Sequence, residues 1–264
     1  MKIIDIHTHI LPNIDDGSDS MEKSIRHLQM VADAGVEKLV LTPHCMLGKY
    51  EADFLMINTR FAELLEEVKK NNINIELLLG AEVFCETFLI DKVVEEKLSL
   101  GNSNYVLFET SLNSRASDVN EFAYQLQRKG YRLILAHPER YTFVHKTTRV
   151  IESIMHRDIL IQVNATSLLG YHGKKVKETA WKMLHKGYAH FVASDDHCRH
   201  NKYYLDQAYM KVVKHIDQHT ADLLFYENPL RMLKNKEIDP FYVTVIGNKH
   251  SKRKALWKVI FGRH

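Results

Sequence analysis

Two short segments far apart in the chain, His7-Thr8-His9 and Asp195-Asp196-His197, each carry a pair of metal-ligand side chains two residues apart. In a β-strand such residues point to the same side, so each pair can serve one ion. Standing by itself, His7-Thr8-His9 reads more readily as two unligated histidines at a strand end. Further residues of the same chemistry join them: His44 in Thr42-Pro43-His44, Glu82 after Leu77-Leu78-Leu79-Gly80-Ala81, Glu109 after Tyr105-Val106-Leu107-Phe108, and His137 in Ala136-His137-Pro138. The prolines beside His44 and His137 would stiffen the loops that present the rings. A glutamate directly after an apolar run needs a partner, because burying a lone carboxylate is costly. A Lys or Arg is the plain alternative; among so many imidazoles a metal is the better partner. Asp16 is taken as a further ligand, and Asp15 as a cap for the helix that starts near Ser18 or Ser20.

The pooled set, His7, His9, Asp16, His44, Glu82, Glu109, His137, Asp195 and His197, contains no thiolate. It suits Mn, Fe or Zn and disfavours structural zinc or an iron–sulfur cluster. Nine donors exceed the needs of one ion. Two or three divalent ions bridged by carboxylates are expected, a type of cluster that holds metals roughly 3.5–4 Å apart and stabilises displacement at phosphorus. Arg140, three residues after His137, offers a fork of donors matched to phosphate oxygens. Its alternative is a salt bridge with Glu139 or another acid. A cysteine phosphatase needs an arginine six residues after its nucleophile, where Cys45, Cys85 and Cys198 are followed by Glu51, Asp91 and Tyr204. That mechanism is excluded.

These residues need a scaffold that brings strand ends together. Seven β-rich runs recur, each followed by an amphipathic stretch: Lys2 to Ile6, Lys38 to Thr42, Ile75 to Gly80, Tyr105 to Phe108, Arg132 to Ala136, Ile159 to Val163 and His190 to Ala193. Met21 to Ala34, Phe54 to Lys70, Asp118 to Lys129 and Val176 to His185 carry apolar residues at helical spacing. Gly35, Gly130 and Gly187 stand where a helix C-cap needs positive φ. Apolar strands alternating with helices imply a parallel sheet covered on both faces, either open or closed. Candidate ligands follow six of the seven runs, and a barrel converges all its C-terminal strand ends on one axis. The expected fold is therefore α/β, a seven-stranded TIM-like barrel.

The pattern of His-x-His, lone His, Glu, further Glu and His, then Asp-x-His resembles the polymerase and histidinol phosphatase (PHP) family. Asp5-Ile6-His7-Thr8-His9-Ile10-Leu11-Pro12, Asp15-Asp16-Gly17, Gly80-Ala81-Glu82 and Ala136-His137-Pro138-Glu139-Arg140-Tyr141 are most similar to the manganese-dependent protein tyrosine phosphatases of bacterial capsule and exopolysaccharide operons. The likeness runs from about Met1 to Leu233. It implies a distorted barrel with three ions: His7, His9, Glu82 and Asp195 around one, Asp16, His44 and His197 around a second, and Glu82, Glu109 and His137 around a third. It also implies a phosphate-contacting Arg140, Mn²⁺ as the metal with Fe or Zn as alternatives, and attack on phosphotyrosine by a hydroxide bridging two ions. A tyrosine-phosphorylated protein is the implied partner, such as a polysaccharide co-polymerase tyrosine kinase. One departure is Asp196, where a small residue looks more usual. A histidinol phosphatase or other small-molecule phosphomonoesterase of the same fold is the alternative enzyme. A non-catalytic scaffold on a polysaccharide assembly complex is the alternative outside catalysis.

Composition fits this reading. The 264 residues suffice for one barrel domain, expected over 1–248, and 45% apolar with 26% charged residues is ordinary for a globular chain. A net charge of +3 gives no reason to expect nucleic acid. No apolar run is long enough to span a bilayer, and Met1-Lys2-Ile3-Ile4-Asp5 lacks the apolar core of a signal peptide, so a cytoplasmic protein is expected. Three scattered cysteines fit a reducing compartment and free thiols. Cys45 and Cys198 each follow a candidate ligand histidine, as small buried residues or as oxidant-sensing thiols. The tail 249–264 reads as a basic amphipathic helix, packed on the barrel or weakly attached to an anionic membrane or a membrane-bound partner.

Overall fold

The computed structural model describes residues 1–50 and 53–241; the tail 249–264 and the end of the expected barrel domain lie outside the described residues. The strands are β1 (Ile3–Thr8), β2 (Val36–Leu41), β3 (His44–Cys45), β4 (Glu76–Leu79), β5 (Glu82–Phe84), β6 (Tyr105–Glu109), β7 (Arg132–Ala136), β8 (Ile159–Asn164) and β9 (Phe191–Ala193). All their ladders are parallel, in the orders β1-β2-β4 and β3-β5-β6-β7-β8-β9.

Seven apolar runs become nine strands because two of them break. Thr42-Pro43 separates β2 from β3, and Pro43 has no N–H to give a ladder. Gly80-Ala81 separates β4 from β5. The breaks lie side by side, since Gly80 N donates to Leu41 O at 2.9 Å and Glu82 N to Pro43 O at 3.1 Å. On the other side, β1 meets the segment after β9 through one isolated bridge, Thr8 to Asp196. Asp195 N donates to His7 O at 2.9 Å and His9 N to Asp196 O at 2.8 Å beside it. The ladders thus form two parallel sheets and not one uninterrupted seven-stranded ring.

The helices are α1 (Met21–Asp33), α2 (Phe54–Lys70), α3 (Ile90–Glu95), α4 (Ala116–Arg128), α5 (Thr142–Lys146), α6 (Arg149–Met155), α7 (Ala165–Leu169), α8 (Lys174–His185), α9 (Leu205–His215), α10 (Gln218–Asp222) and α11 (Asn228–Leu233). The four expected from periodicity correspond to α1, α2, α4 and α8. Gly35, Gly130 and Gly187 take φ of +85°, +90° and +69° just beyond α1, α4 and α8. Among the described residues, no helix is long and apolar enough to cross a membrane.

Strand alternation sorts the core into two layers. Ile3, Leu39, Val106, Phe108, Leu133, Leu135, Ile161 and Val192 pack with helix residues such as Leu28, Leu64, Phe122, Leu126, Met183 and Val212. The alternate residues Ile4, Ile6, Val40, Tyr105, Leu107, Ile134, Leu160 and Phe191 form a separate cluster on the other face of the strands, joined by Met232 and Ile238.

Candidate metal centre

Above this second apolar cluster, the same inward alternation continues into polar residues. Leu78 leads through Gly80 to Glu82, Leu107 to Glu109, Leu160 to Gln162 and Asn164, and Phe191 through Ala193 to Asp195. In β1 strict alternation from Ile4 and Ile6 would turn Thr8 inward. A register slip between Asp5 and Thr8 intervenes, and His7 and His9 converge there, with their Nε2 atoms 3.1 Å apart. Such a slip re-aims side chains at a strand end.

Each of those two Nε2 atoms lies 3.3–3.4 Å from Glu82 Oε2 and Asp195 Oδ1. Two imidazole nitrogens and two carboxylate oxygens at such separations have the spacing of ligands about one ion at 2.0–2.2 Å. His44 Nδ1 lies 3.0 Å from Glu82 Oε2 and 3.2 Å from Glu109 Oε1, and its Nε2 lies 3.4 Å from Asp16 Oδ1. His197 Nε2 is also 3.4 Å from Asp16 Oδ1. His137 Nε2 lies 2.9 Å from Glu82 Oε1. Glu109 is nearer His44 than His137, from which its Oε2 is 3.8 Å away. All nine expected ligands therefore meet in one cluster, within which His9, Asp16, His44 and His197 form one group, His7, His9 and Asp195 another, and Glu82 joins the rest.

The donor chemistry fits divalent cations. Glu82 Oε2, His44 Nδ1 and His137 Nδ1 are buried without a hydrogen-bond partner. Burial disfavours charge on His7, His9, His44, Glu82 and Asp195, yet these carboxylates and imidazoles overcome it together. Against that burial, Glu82 and Asp195 raise His7, Asp15 raises His9, and Glu82 raises His44. In return the imidazoles hold Glu82 and Asp195 well below the usual carboxylate range. Hydrogen bonds to His197 and His44 push Asp16 down as well. The carboxylates thus favour positive charge on His7, His9 and His44, charge that divalent cations would supply instead.

A supporting layer was only partly visible in the sequence. Asp15 is not the helix cap expected of it: Ser20 caps α1, accepting from Lys23 N at 3.3 Å. Asp15 Oδ2 instead takes His9 Nδ1 at 2.7 Å and His44 N at 3.0 Å. The turn that brings it there needs Gly17, where a Cβ would stand 1.8 Å from His9 O. Gln162 Oε1 accepts from His7 Nδ1 at 3.0 Å, leaving Nε2 as the free donor atom. Gln162 Nε2 then donates to Asn164 Oδ1 at 2.8 Å, and Asn164 Nδ2 to Asp195 Oδ2 at 2.6 Å. The signal was present as Gln162 and Asn164 two apart in an otherwise apolar strand. Asp5, fully buried, accepts from Ser194 N, His7 N and Tyr203 O–H at 3.1, 3.3 and 2.7 Å, clasping the seam between β1 and β9. His137 and Asp195 take φ of +35° and +53°, a left-handed conformation that costs roughly 1–3 kcal/mol in such residues.

The cluster forms the floor of a cavity of about 500 Å³. Arg140 lines one wall and donates from Nη1 to Asp195 Oδ2 at 3.2 Å. The alternative salt bridge thus forms with Asp195 and not with Glu139, which is buried, raised by that burial, and accepts from Asn164 N at 2.9 Å. Tyr50 stacks on His44 with centroids 5.0 Å apart, and Phe84, Leu112, Tyr171 and Tyr204 complete an aromatic and apolar mouth.

The model of the CpsB/CapC capsular polysaccharide synthesis family matches residues 3–234. The chain belongs to the CpsB/CapC family. Among CpsB/CapC relatives, it is 30% identical over 201 residues to the putative tyrosine-protein phosphatase CapC of Staphylococcus aureus, covering 76% of this chain and 79% of that one. It is 27% identical over 237 residues to the tyrosine-protein phosphatase YwqE of Bacillus subtilis, covering 89% and 93%. A crystal structure from the pair YwqE of Bacillus subtilis and CpsB of Streptococcus pneumoniae, described as metal-dependent tyrosine phosphatases, superposes with TM-score 0.83 at 27% identity. It covers 89% of this chain and 96% of that one. An amidohydrolase from Mycoplasma synoviae, 13% identical with TM-score 0.60, shares the CpsB/CapC fold alone.

Proposed function

We propose that this chain is a metal-dependent protein tyrosine phosphatase of the CpsB/CapC family, with its site at the cluster of His7, His9, Asp16, His44, Glu82, Glu109, His137, Asp195 and His197. The observation that carries this reading is the meeting of nine imidazole and carboxylate ligands on the floor of a cavity with one arginine in its wall. These residues would hold two or three ions, which when bound supply Lewis acidity that activates water and offsets phosphoryl charge. Manganese is the metal the family resemblance implies, and the thiolate-free set suits Mn, Fe or Zn. The seven strand positions close as a distorted barrel through the Thr8–Asp196 seam, and the domain extends to about residue 248, ahead of the basic tail.

The chain's own groups account for the rest. Arg140 commits one donor to Asp195 and keeps the remaining guanidinium N–H groups for phosphoryl oxygens. Gln162 and Asn164 fix His7 and Asp195 in orientation, so little reorganisation is needed during reaction. The aromatic mouth suits a phenyl ring. His172 in the cavity wall, lowered to about 4 by partial burial and by the Arg140 charge, is a neutral imidazole at pH 7 and a poor proton donor. A phenolate, with a conjugate pKa near 10, departs without one far more readily than a serine alkoxide. On this reading the substrate is a phosphotyrosyl protein in the cytoplasm, such as a tyrosine kinase of a polysaccharide assembly system. Metal-stripped enzyme is to be assayed on phosphotyrosyl peptide, phosphoseryl peptide and histidinol phosphate, with and without Mn²⁺. Manganese-restored turnover biased to phosphotyrosine is expected; turnover mainly of histidinol phosphate would overturn the substrate class.

A further inference from the structure

Asp196 and Cys198 stand out from the sequence and play no part in the cluster just described. They flank His197 in the chain and meet a third ligand type on the neighbouring helix. His27 of α1 places Nδ1 3.1 Å from Asp196 Oδ2. Asp196 Oδ1 is occupied by the Cys198 N–H at 3.0 Å, which fixes the carboxylate with Oδ2 turned to His27. A ring nitrogen of His27, an Asp196 oxygen and Cys198 Sγ all lie within 4.8 Å of one another. His27 and Cys198 are only 2% and 3% exposed. Among the described residues, this is the one candidate ligand group that contains a sulfur.

We propose that His27, Asp196 and Cys198 form a separate site for one thiophilic divalent cation, zinc being the ion that a nitrogen, oxygen and sulfur set of this kind suits. The 3.1 Å separation of the nitrogen and the oxygen matches two ligands of one tetrahedral ion with bonds of about 2.0–2.1 Å. Three protein ligands leave the fourth position to water. Binding replaces the thiol S–H bond by a sulfur–metal bond, and the proton leaves to solvent, with no change in oxidation state. The ion would tie α1 to the loop that carries Asp195 and His197, so the catalytic cluster and this site share a backbone but no side chain. The proposal stands independently of the phosphatase reading, since its readout is spectroscopic.

Cobalt substitution of the full chain tests it. The nine-residue cluster holds no sulfur and gives no thiolate-to-cobalt charge transfer. A near-ultraviolet charge-transfer band is expected in the wild type, absent in Cys198→Ser and His27→Gln, and retained in Cys45→Ser. Equilibrium dialysis against Zn²⁺ should give one fewer bound ion per chain in Cys198→Ser. A wild-type protein without the band, or a band that survives Cys198→Ser, overturns the site and leaves His27 and Asp196 as a hydrogen-bonded pair beside a buried thiol.

Discussion

The strand face that carries the site has two storeys built on one alternation. Below, Ile4, Ile6, Val40, Leu107, Ile134, Leu160 and Phe191 are buried against one another. Above, Glu82, Glu109, Gln162, Asn164 and Asp195 take the next inward positions. Burial stabilises the lower storey by about 25 cal/mol for each Å² of apolar surface removed from water. In the upper storey burial is unfavourable unless every charge meets an opposite one. One storey secures the fold and the other uses that security to hold ionised groups together out of water. Stability and activity should therefore be separable between them.

Removing the residue that touches most of the upper storey tests this hardest. Glu82→Gln should lower kcat by about 10³-fold and reduce bound metal; retained turnover would break the division. Ile134→Ala, one storey down, should cost about 2–5 kcal/mol in urea unfolding while folded molecules keep their kcat. Arg140→Ala should reduce kcat/KM on a phosphotyrosyl peptide by about 10²-fold with metal content intact, and loss of metal in that variant would show it to be structural. Asp15→Asn should weaken metal binding by about 10-fold, as loss of an orienting partner does, read by competition with a chelator.

Acid titration of metal-stripped protein sharpens the same contrast. Burial works against the Asp15 carboxylate, yet the imidazole of His9 beside it holds the group at about 2, down from 3.8. A lowered pKa gives stability that is complete above about pH 4 and lost as the pH falls towards 2. Unfolding in that window should be shallower in Asp15→Asn than in wild type, and identical curves would remove the ion pair from the account.

The site was legible wherever chemistry stood at the end of an apolar run, as with Glu82, Glu109 and His137, because an acid or imidazole there has no ordinary reason to be buried. Asp15 was misread, since its role depends on a turn folded back until Gly17 touches His9, a contact that spacing does not encode. The breaks at Pro43 and Gly80 carried a signal in residue type, whereas the register slip that turns His7 and His9 inward did not. Asp5 lay in plain view beside His7. Its importance comes from Tyr203 and Ser194, nearly the whole chain away.

That seam also sets an order of events in synthesis. Ser194 N and Asp5 Oδ1 are separated by 189 residues, so the first strand leaves the ribosome long before its neighbour exists. At about 5–20 residues per second, roughly 10–40 s pass between the two. During that interval Ile3, Ile4 and Ile6 have no partner on that side, and His7 and His9 lack Asp195. The nascent chain must be kept from aggregating through an apolar first strand, and it acquires its full complement of ligands only once residue 197 has emerged.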